Sequence, residues 1–245
     1  MSRTERARTG APARPKAKRA GSYHHGELKG ALLDAAASLL ADHGVEGFTL
    51  RECARRAGVS HGAPAHHFGD VRGLLSAFTT QSFRQLEALT QEYQRTAPSD
   101  GFSQLLASGT AYVDYALAER ARFQLMFRSD RLDTSDEQLR CAGHAVFDIL
   151  QQNMARTSAE AGAEGVMLPE KTALAWSIVH GFATLMLENA GFASQTRGNR
   201  DQALELVRKL ITLNRAAYES TGRRRASPAN SSVATFKRRA PKGRR

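Results

Sequence analysis

Three of the chain's eight histidines, His61, His66 and His67, fall within the stretch GVSHGAPAHHFGD, Gly58–Asp70. With Cys53 a short way upstream, these residue types suit a transition-metal site. The spacing argues against one. On a helix, positions 61 and 66 stand about 140° apart and positions 66 and 67 about 100° apart. Cys53 falls on the inward face of a different helix. No metal and no other cofactor is expected. Nucleophilic chemistry fares no better. Cys141 and His144 share one helix face, but nothing supplies an oxyanion hole or a third group to orient the imidazole. The sequence has no glycine-rich phosphate loop and no H-E-x-x-H. It does not read as an enzyme.

Charge points elsewhere. The formal net charge of the 245 residues is +11, unevenly placed. Residues 1–20 carry seven Lys/Arg against one acid, and residues 221–245 carry nine against none. The stretch between them is mildly acidic. Both ends are rich in Pro, Ala, Gly and Ser, so they bury too little apolar surface to offset the entropy of ordering, and the sequence predicts two disordered basic arms. Such arms favour a polyanion, either nucleic acid or an anionic membrane surface. Nucleic acid is the better fit because of what lies between them. Only two cysteines occur, Cys53 and Cys141. Both sit in helix-like apolar patterns and read as small core residues in a reducing compartment. The N-terminus lacks the apolar segment of a secretory signal, and no apolar run is long enough to span a bilayer. A cytoplasmic protein with no membrane partner is expected.

The elements that position these residues are helical throughout, and the fold class is all-α. Leu28, Ala31, Leu32, Ala35, Leu39 and Leu40 form one stripe over residues 27–43, with Gly44 as a stop. Thr49-Leu50-Arg51-Glu52 reads as a reciprocal capping box opening a helix over 50–56. Gly58 suits the positive φ of a tight turn. Ser60 is placed to cap a helix over 61–67, with Pro64 inside it and distorting it. Asp70 caps a long helix to about Arg95. Beyond the break at 97–101, the spacing predicts helices over 102–119, 120–128, 135–161, 169–190 and 200–219. Pro169 takes a first-turn position, where its missing N–H costs little. The helix at 169–190 is apolar on most sides and is expected to be buried.

Three helices with a glycine turn between the last two describe a helix-turn-helix, whose second helix enters the major groove. Cys53, Ala54, Ala57 and Val59 supply the inward positions. YHHGELKGALLDAAASLLADHGVEGFTLRECARRAGVSHGAPAHHFGDVRGLL resembles the N-terminal domain of the TetR family of bacterial transcription regulators. Trp176, His180 and Gly181 in WSIVHGF, with ARFQLMFRSD at 121–130 and the opening YHHG at 23–26, are similar to a C-terminal subgroup with the signature W-x-x-x-H-G. The resemblance implies an all-helical homodimer that binds a pseudo-palindromic operator in double-stranded DNA, usually as a repressor, and is released by a small-molecule effector. Carried onto this chain, it implies DNA-facing positions at Thr49, Arg51, Ser60, His61, Gly62, Ala63, Ala65, His66 and His67. The chain departs from the family at Ala65, where a phosphate-contacting tyrosine is common. That implies one contact fewer, with His66, Arg72 or the N-terminal arm as replacements.

Several side chains keep two readings. His66 suits phosphate contact or plain exposure, and Arg55 and Arg56 suit phosphate or a solvated face. His144 suits a ligand pocket or an ordinary core or surface position. Phe123, Met126, Phe127, His144, Phe147 and Trp176 are candidates for a mainly apolar pocket. His180, Gly181, Leu185, Leu206 and Leu210 are candidates for a dimer interface, with packing favoured over ligand binding for His180. The expected division is a basic arm (1–20), a reading domain (21–70), a linking helix (71–95), a ligand and dimer domain (96–220) and a basic tail (221–245). The competing reading is a non-specific nucleic-acid-coating protein driven by its arms, with a degraded reading helix.

Overall fold

A computed structural model describes residues 25–188 and 199–221. The two arms lie outside the described residues, apart from Thr221. Ten helices make up the described chain, with no strand among them: α1 His25–His43, α2 Leu50–Arg56, α3 Ala63–Phe68, α4 Val71–Thr96, α5 Gly101–Ala118, α6 Arg120–Met126, α7 Glu137–Glu160, α8 Leu168–Leu187, α9 Arg200–Leu213 and α10 Arg215–Tyr218. Short polar side chains start half of them. Thr49, Asp70, Asp100, Asp136 and Asn199 each accept a backbone N–H of the following helix, satisfying donors that a helix start leaves unpaired. The helix expected over 200–219 is broken at Asn214 into α9 and α10.

Two apolar cores result. The first gathers Leu32, Leu39 and Leu40 of α1, Cys53 of α2 and Leu74, Leu75 and Phe78 of α4. Leu125, Leu132 and Leu139 reach into it from the rest of the chain. The second is built around α5, with Val113 and Ala116 fully buried among Met154 of α7, Val179 and Phe182 of α8 and Val207 of α9. Helix α4 serves both, placing Leu74, Leu75 and Phe78 in one and Leu86 in the other, with Phe83 packed against each. Motion of α4 is therefore felt in both cores.

Cys53 is buried as expected, but Cys141 is exposed. It lies on the outer side of α7, and its neighbour Ala142 takes the core position instead.

Candidate nucleic-acid interface and apolar cavity

The α2–α3 unit is closed by its turn. Gly58 takes φ +67°, and the Val59 N–H donates back to the Ala54 carbonyl at 3.1 Å. Cys53 and Ala54 are fully buried where α2 meets α1. Burial pushes the Cys53 thiol up to about 11, which keeps it protonated and unsuited to a metal. Among the described residues no group of His, Cys, Asp and Glu could hold a metal ion.

The capping box is only half formed. The Thr49 hydroxyl accepts from the Glu52 N–H at 3.2 Å, but the Glu52 carboxylate is taken by Arg55, at 2.6 and 2.7 Å, and by Arg56, at 3.2 Å. Those hydrogen bonds hold the Glu52 carboxyl down at about 2. Arg56 also donates to Asp42 at 2.6 Å and Ser38 at 2.9 Å on α1. It is a brace between α1 and α2. Arg55 is the more exposed of the pair.

Helix α3 starts later than the sequence suggests. It begins at Ala63, not 61, and its cap is Gly62, with no side-chain hydrogen bond. Ser60 does not cap it; the Ser60 carbonyl instead accepts from the Ala63 N–H at 3.0 Å. Pro64 thus falls at the second helical position, where no N–H is missed. Its ring is buried, and the backbone bonds His66 to Gly62 and Gly69 to Ala65 are intact at 3.0 and 2.9 Å. The expected distortion is absent. With Pro64 inward, His61, Gly62, Ala65 and His66 are exposed, Ala63 and His67 are half-buried, and Thr49, Arg51 and Ser60 are exposed beside them. Arg72 does not join this face: its guanidinium donates to the Leu132 carbonyl.

That bond belongs to a strap that sequence reasoning missed. Residues 128–133, after α6, grip the turn between α1 and α2 and the start of α4. Arg128 bonds Glu46 at 2.8 Å and Arg131 bonds the same carboxylate at 3.1 Å. Arg131 also donates to the Val45 carbonyl at 3.0 Å, and the Asp133 N–H donates to the Ser76 hydroxyl at 2.8 Å. The run Phe127-Arg128 carries the only local signal, an apolar residue and a cation side by side.

Phe127, next to Arg128, borders two spaces. It lines a cavity of about 240 Å³ between α4, α5, α7 and α8, together with Phe147 and Trp176. Phe123 lines instead a neighbouring cleft of about 410 Å³, which Val45, Glu46, Arg128 and His180 also border. Met126 and His144 line neither space: Met126 is buried in the core and His144 is exposed, turned out on α7. His180 sits where the two spaces adjoin. Its Nδ1 lies 2.8 Å from the Tyr112 hydroxyl, and its ring is 4.5 Å from that of Phe127 and 5.6 Å from that of Trp176. Burial holds the imidazole below its usual pKa. Gly181 has open space around it within the protomer. On the same helix α8 is less buried than expected: Leu174, Trp176 and Leu185 are exposed, and on α9 Leu206 and Leu210 are half-buried.

A helix-turn-helix with an open second helix, mounted on a helical body that holds an apolar cavity, defines the class of bacterial DNA-binding regulators. The description "Bacterial regulatory proteins, tetR family" matches residues 32–78, and "Tetracyclin repressor-like, C-terminal domain" matches residues 105–211. The chain belongs to the TetR family of transcription regulators. The finer W-x-x-x-H-G resemblance is not confirmed by these matches. A solved protein of unknown function from Rhodococcus sp. RHA1 is 31% identical, covering 78% of this chain and 96% of its own, with a TM-score of 0.65. The TetR family regulator PfmR from Thermus thermophilus shares the fold at 18% identity, with a TM-score of 0.57 over 74% of this chain and 92% of that one. The HTH-type transcriptional regulator BetI of Paraburkholderia phytofirmans is 37% identical over 83 residues, 34% of this chain. The chain spans only 43% of that relative's length.

Proposed function

We propose that the chain is a homodimeric, sequence-specific DNA-binding transcription regulator, a repressor that a small ligand releases from a pseudo-palindromic operator. Such a regulator works in the cytoplasm. The observation that carries this reading is α3 with the turn before it, which spends Pro64 and Phe68 on the fold and leaves His61, Gly62, Ala65 and His66 uncovered. Gly62 and Ala65 keep the helix narrow enough to approach a groove floor, and an imidazole both donates and accepts at base edges or phosphates. Thr49, Arg51, Ser60, Ala63 and His67 complete the reading face. Residues 21–70 form the reading head, 71–95 the link, and 96–220 the ligand and dimer body. The arms at 1–20 and 221–245 add salt-dependent, sequence-independent affinity. The dimer face is drawn from α8 and α9, through Gly181, Leu185, Leu206 and Leu210, with His180 behind it.

The strap supplies a route from ligand to DNA. Phe127 borders the cavity, and the next residue, Arg128, holds Glu46 in the α1–α2 turn. A ligand that fits only one position of Phe127 favours one position of the reading head, and two heads on one dimer must match the half-site spacing. The reading helix is undistorted at Pro64, which speaks against a degraded, non-specific binder. Genomic-DNA selection with the full chain, at several salt concentrations, tests the reading. One palindromic motif persisting as salt rises supports it. Uniform recovery of all fragments, lost together as salt rises, overturns it.

A further inference from the structure

The cavity beside Phe127 has few polar groups. No side chain that lines it carries a charge at neutral pH. Its few polar groups are largely engaged. The Thr90 hydroxyl donates to the Leu86 carbonyl at 2.8 Å. The Ser108 hydroxyl donates to the Gln104 carbonyl and accepts from the Asn153 amide, each at 2.8 Å. The Tyr112 hydroxyl is paired with His180. A charged group placed there would meet no counter-ion, and burying an unpaired charge is costly.

A second, smaller cavity of about 20 Å³ lies against the first, and Gly109, Leu150 and Val179 line both. A Cβ on Gly109 would come within 2.6 Å of the Ile211 Cδ1 and 3.2 Å of a Val179 methyl, so Ile211 and Val179 pack directly on this glycine at the border of the two cavities. Tyr218 of α10 lines the smaller cavity. Its side chain is fully buried, and its hydroxyl has no hydrogen-bond partner among the described residues. The remaining lining of that cavity has no polar side chain. A trapped water would have one side-chain partner, where buried waters typically make about three hydrogen bonds. Burial pushes the phenol up to about 12, so it stays a neutral donor and acceptor.

We propose that the effector is an uncharged, elongated, largely apolar molecule that fills the cavity beside Phe127 and ends, past Gly109, in one hydrogen-bonding group held by the Tyr218 hydroxyl. This rests on the reading of that cavity as the effector site. Trp176 is the only tryptophan of the chain and lines the main cavity, so its fluorescence reports occupancy there. The experiment titrates the full chain with octanol, octane, octanoate and octylamine, and repeats the series with Tyr218→Phe. The variant deletes only an unpaired hydroxyl, so its fold is expected to be at least as stable as the parent's. The expected result is a Trp176 response to octanol and octane, none or a far weaker one to the two ions, and a roughly three- to tenfold loss of octanol affinity in Tyr218→Phe with octane unaffected. Equal binding of octanoate or octylamine overturns the neutral class. An unchanged octanol affinity in Tyr218→Phe overturns the role of the hydroxyl. A silent Trp176 with every probe overturns the assignment as a whole. DNA retention measured in the same samples separates the two readings: binding that leaves the DNA bound supports the ligand class and sinks the effector role of the cavity.

Discussion

Gly73 offers the sharpest test of how the reading helix is held. It lies in the first turn of α4, and a Cβ built there overlaps the carbonyl oxygen of Phe68, the last residue of α3. The carbonyl carbon would lie only 3.1 Å away. Both partners are backbone, so no side chain can swing aside, and Gly73→Ala must push α3 off α4. Overpacking of this kind costs about 1–3 kcal/mol, and the higher helix propensity of alanine returns about 0.5–1 kcal/mol. The net loss is about 1–2 kcal/mol, a fall in Tm of roughly 2–8 °C for a chain of this size. The functional loss is larger, because α3 moves as a unit: affinity for the selected DNA is expected to fall more than about tenfold. Gly30→Ala, in α1 with open space around it, is the control and should gain about 0.5–1 kcal/mol. Thermal unfolding and DNA binding are measured on both. A Gly73→Ala protein that melts and binds like the parent refutes the reasoning, since the α3–α4 contact would then be loose enough to absorb a methyl group.

Other outcomes follow from the same geometry. Arg128→Ala removes an exposed ion pair with Glu46, so unfolding should shift by less than about 1 kcal/mol; DNA release by ligand should be lost, and normal release at unchanged affinity refutes the strap as the route. Gly181→Ala should raise the stability of an isolated protomer by about 0.5–1 kcal/mol; a weaker dimer in sedimentation instead would place a partner helix against Gly181. The His180 imidazole is held below the usual 6.5 by burial, so the unfolded chain binds its proton first. Stability should therefore rise with pH up to about 6.5 and fall as pH drops through the folded value, and His180→Gln should flatten that limb in thermal melts. Glu52 acts lower down: its carboxyl sits near 2 against 4.5 unfolded, so its contribution is present above pH 4.5 and lost on the way to 2, a loss that Glu52→Gln should abolish.

The helices were legible because their caps and stripes are local. Asp70 announces α4 with one side chain, and Gly58 announces its turn. The start of α3 was misread because Ser60 is a good cap by residue type, whereas burial of the Pro64 ring decides the register, and that is a tertiary fact. Phe127, Phe147 and Trp176 are pocket candidates by residue type alone, which equally marks Met126 and His144. Nothing local distinguishes an aromatic ring facing a void from a side chain facing the core or the solvent. The strap was invisible for a related reason: Glu46 and Arg128 are 82 residues apart, and an exposed glutamate next to a glycine carries no sign of its partner. Tyr218 was overlooked because the last helix reads as continuous, while the break at Asn214 is what turns that ring inward.

The strap has a consequence for how such a regulator can be rebuilt or diverge. Residues 128–133 carry the arginines, while Glu46 and the Val45 carbonyl sit on the reading head. A recombination that exchanges the head at the α3–α4 boundary parts the two halves of this fastening. A hybrid that inherits a foreign head without a matching carboxylate keeps a working sensor and a working reader but loses this fastening between them. New operator preference and retained inducibility therefore have to be acquired as one package, spread over two distant stretches of the gene.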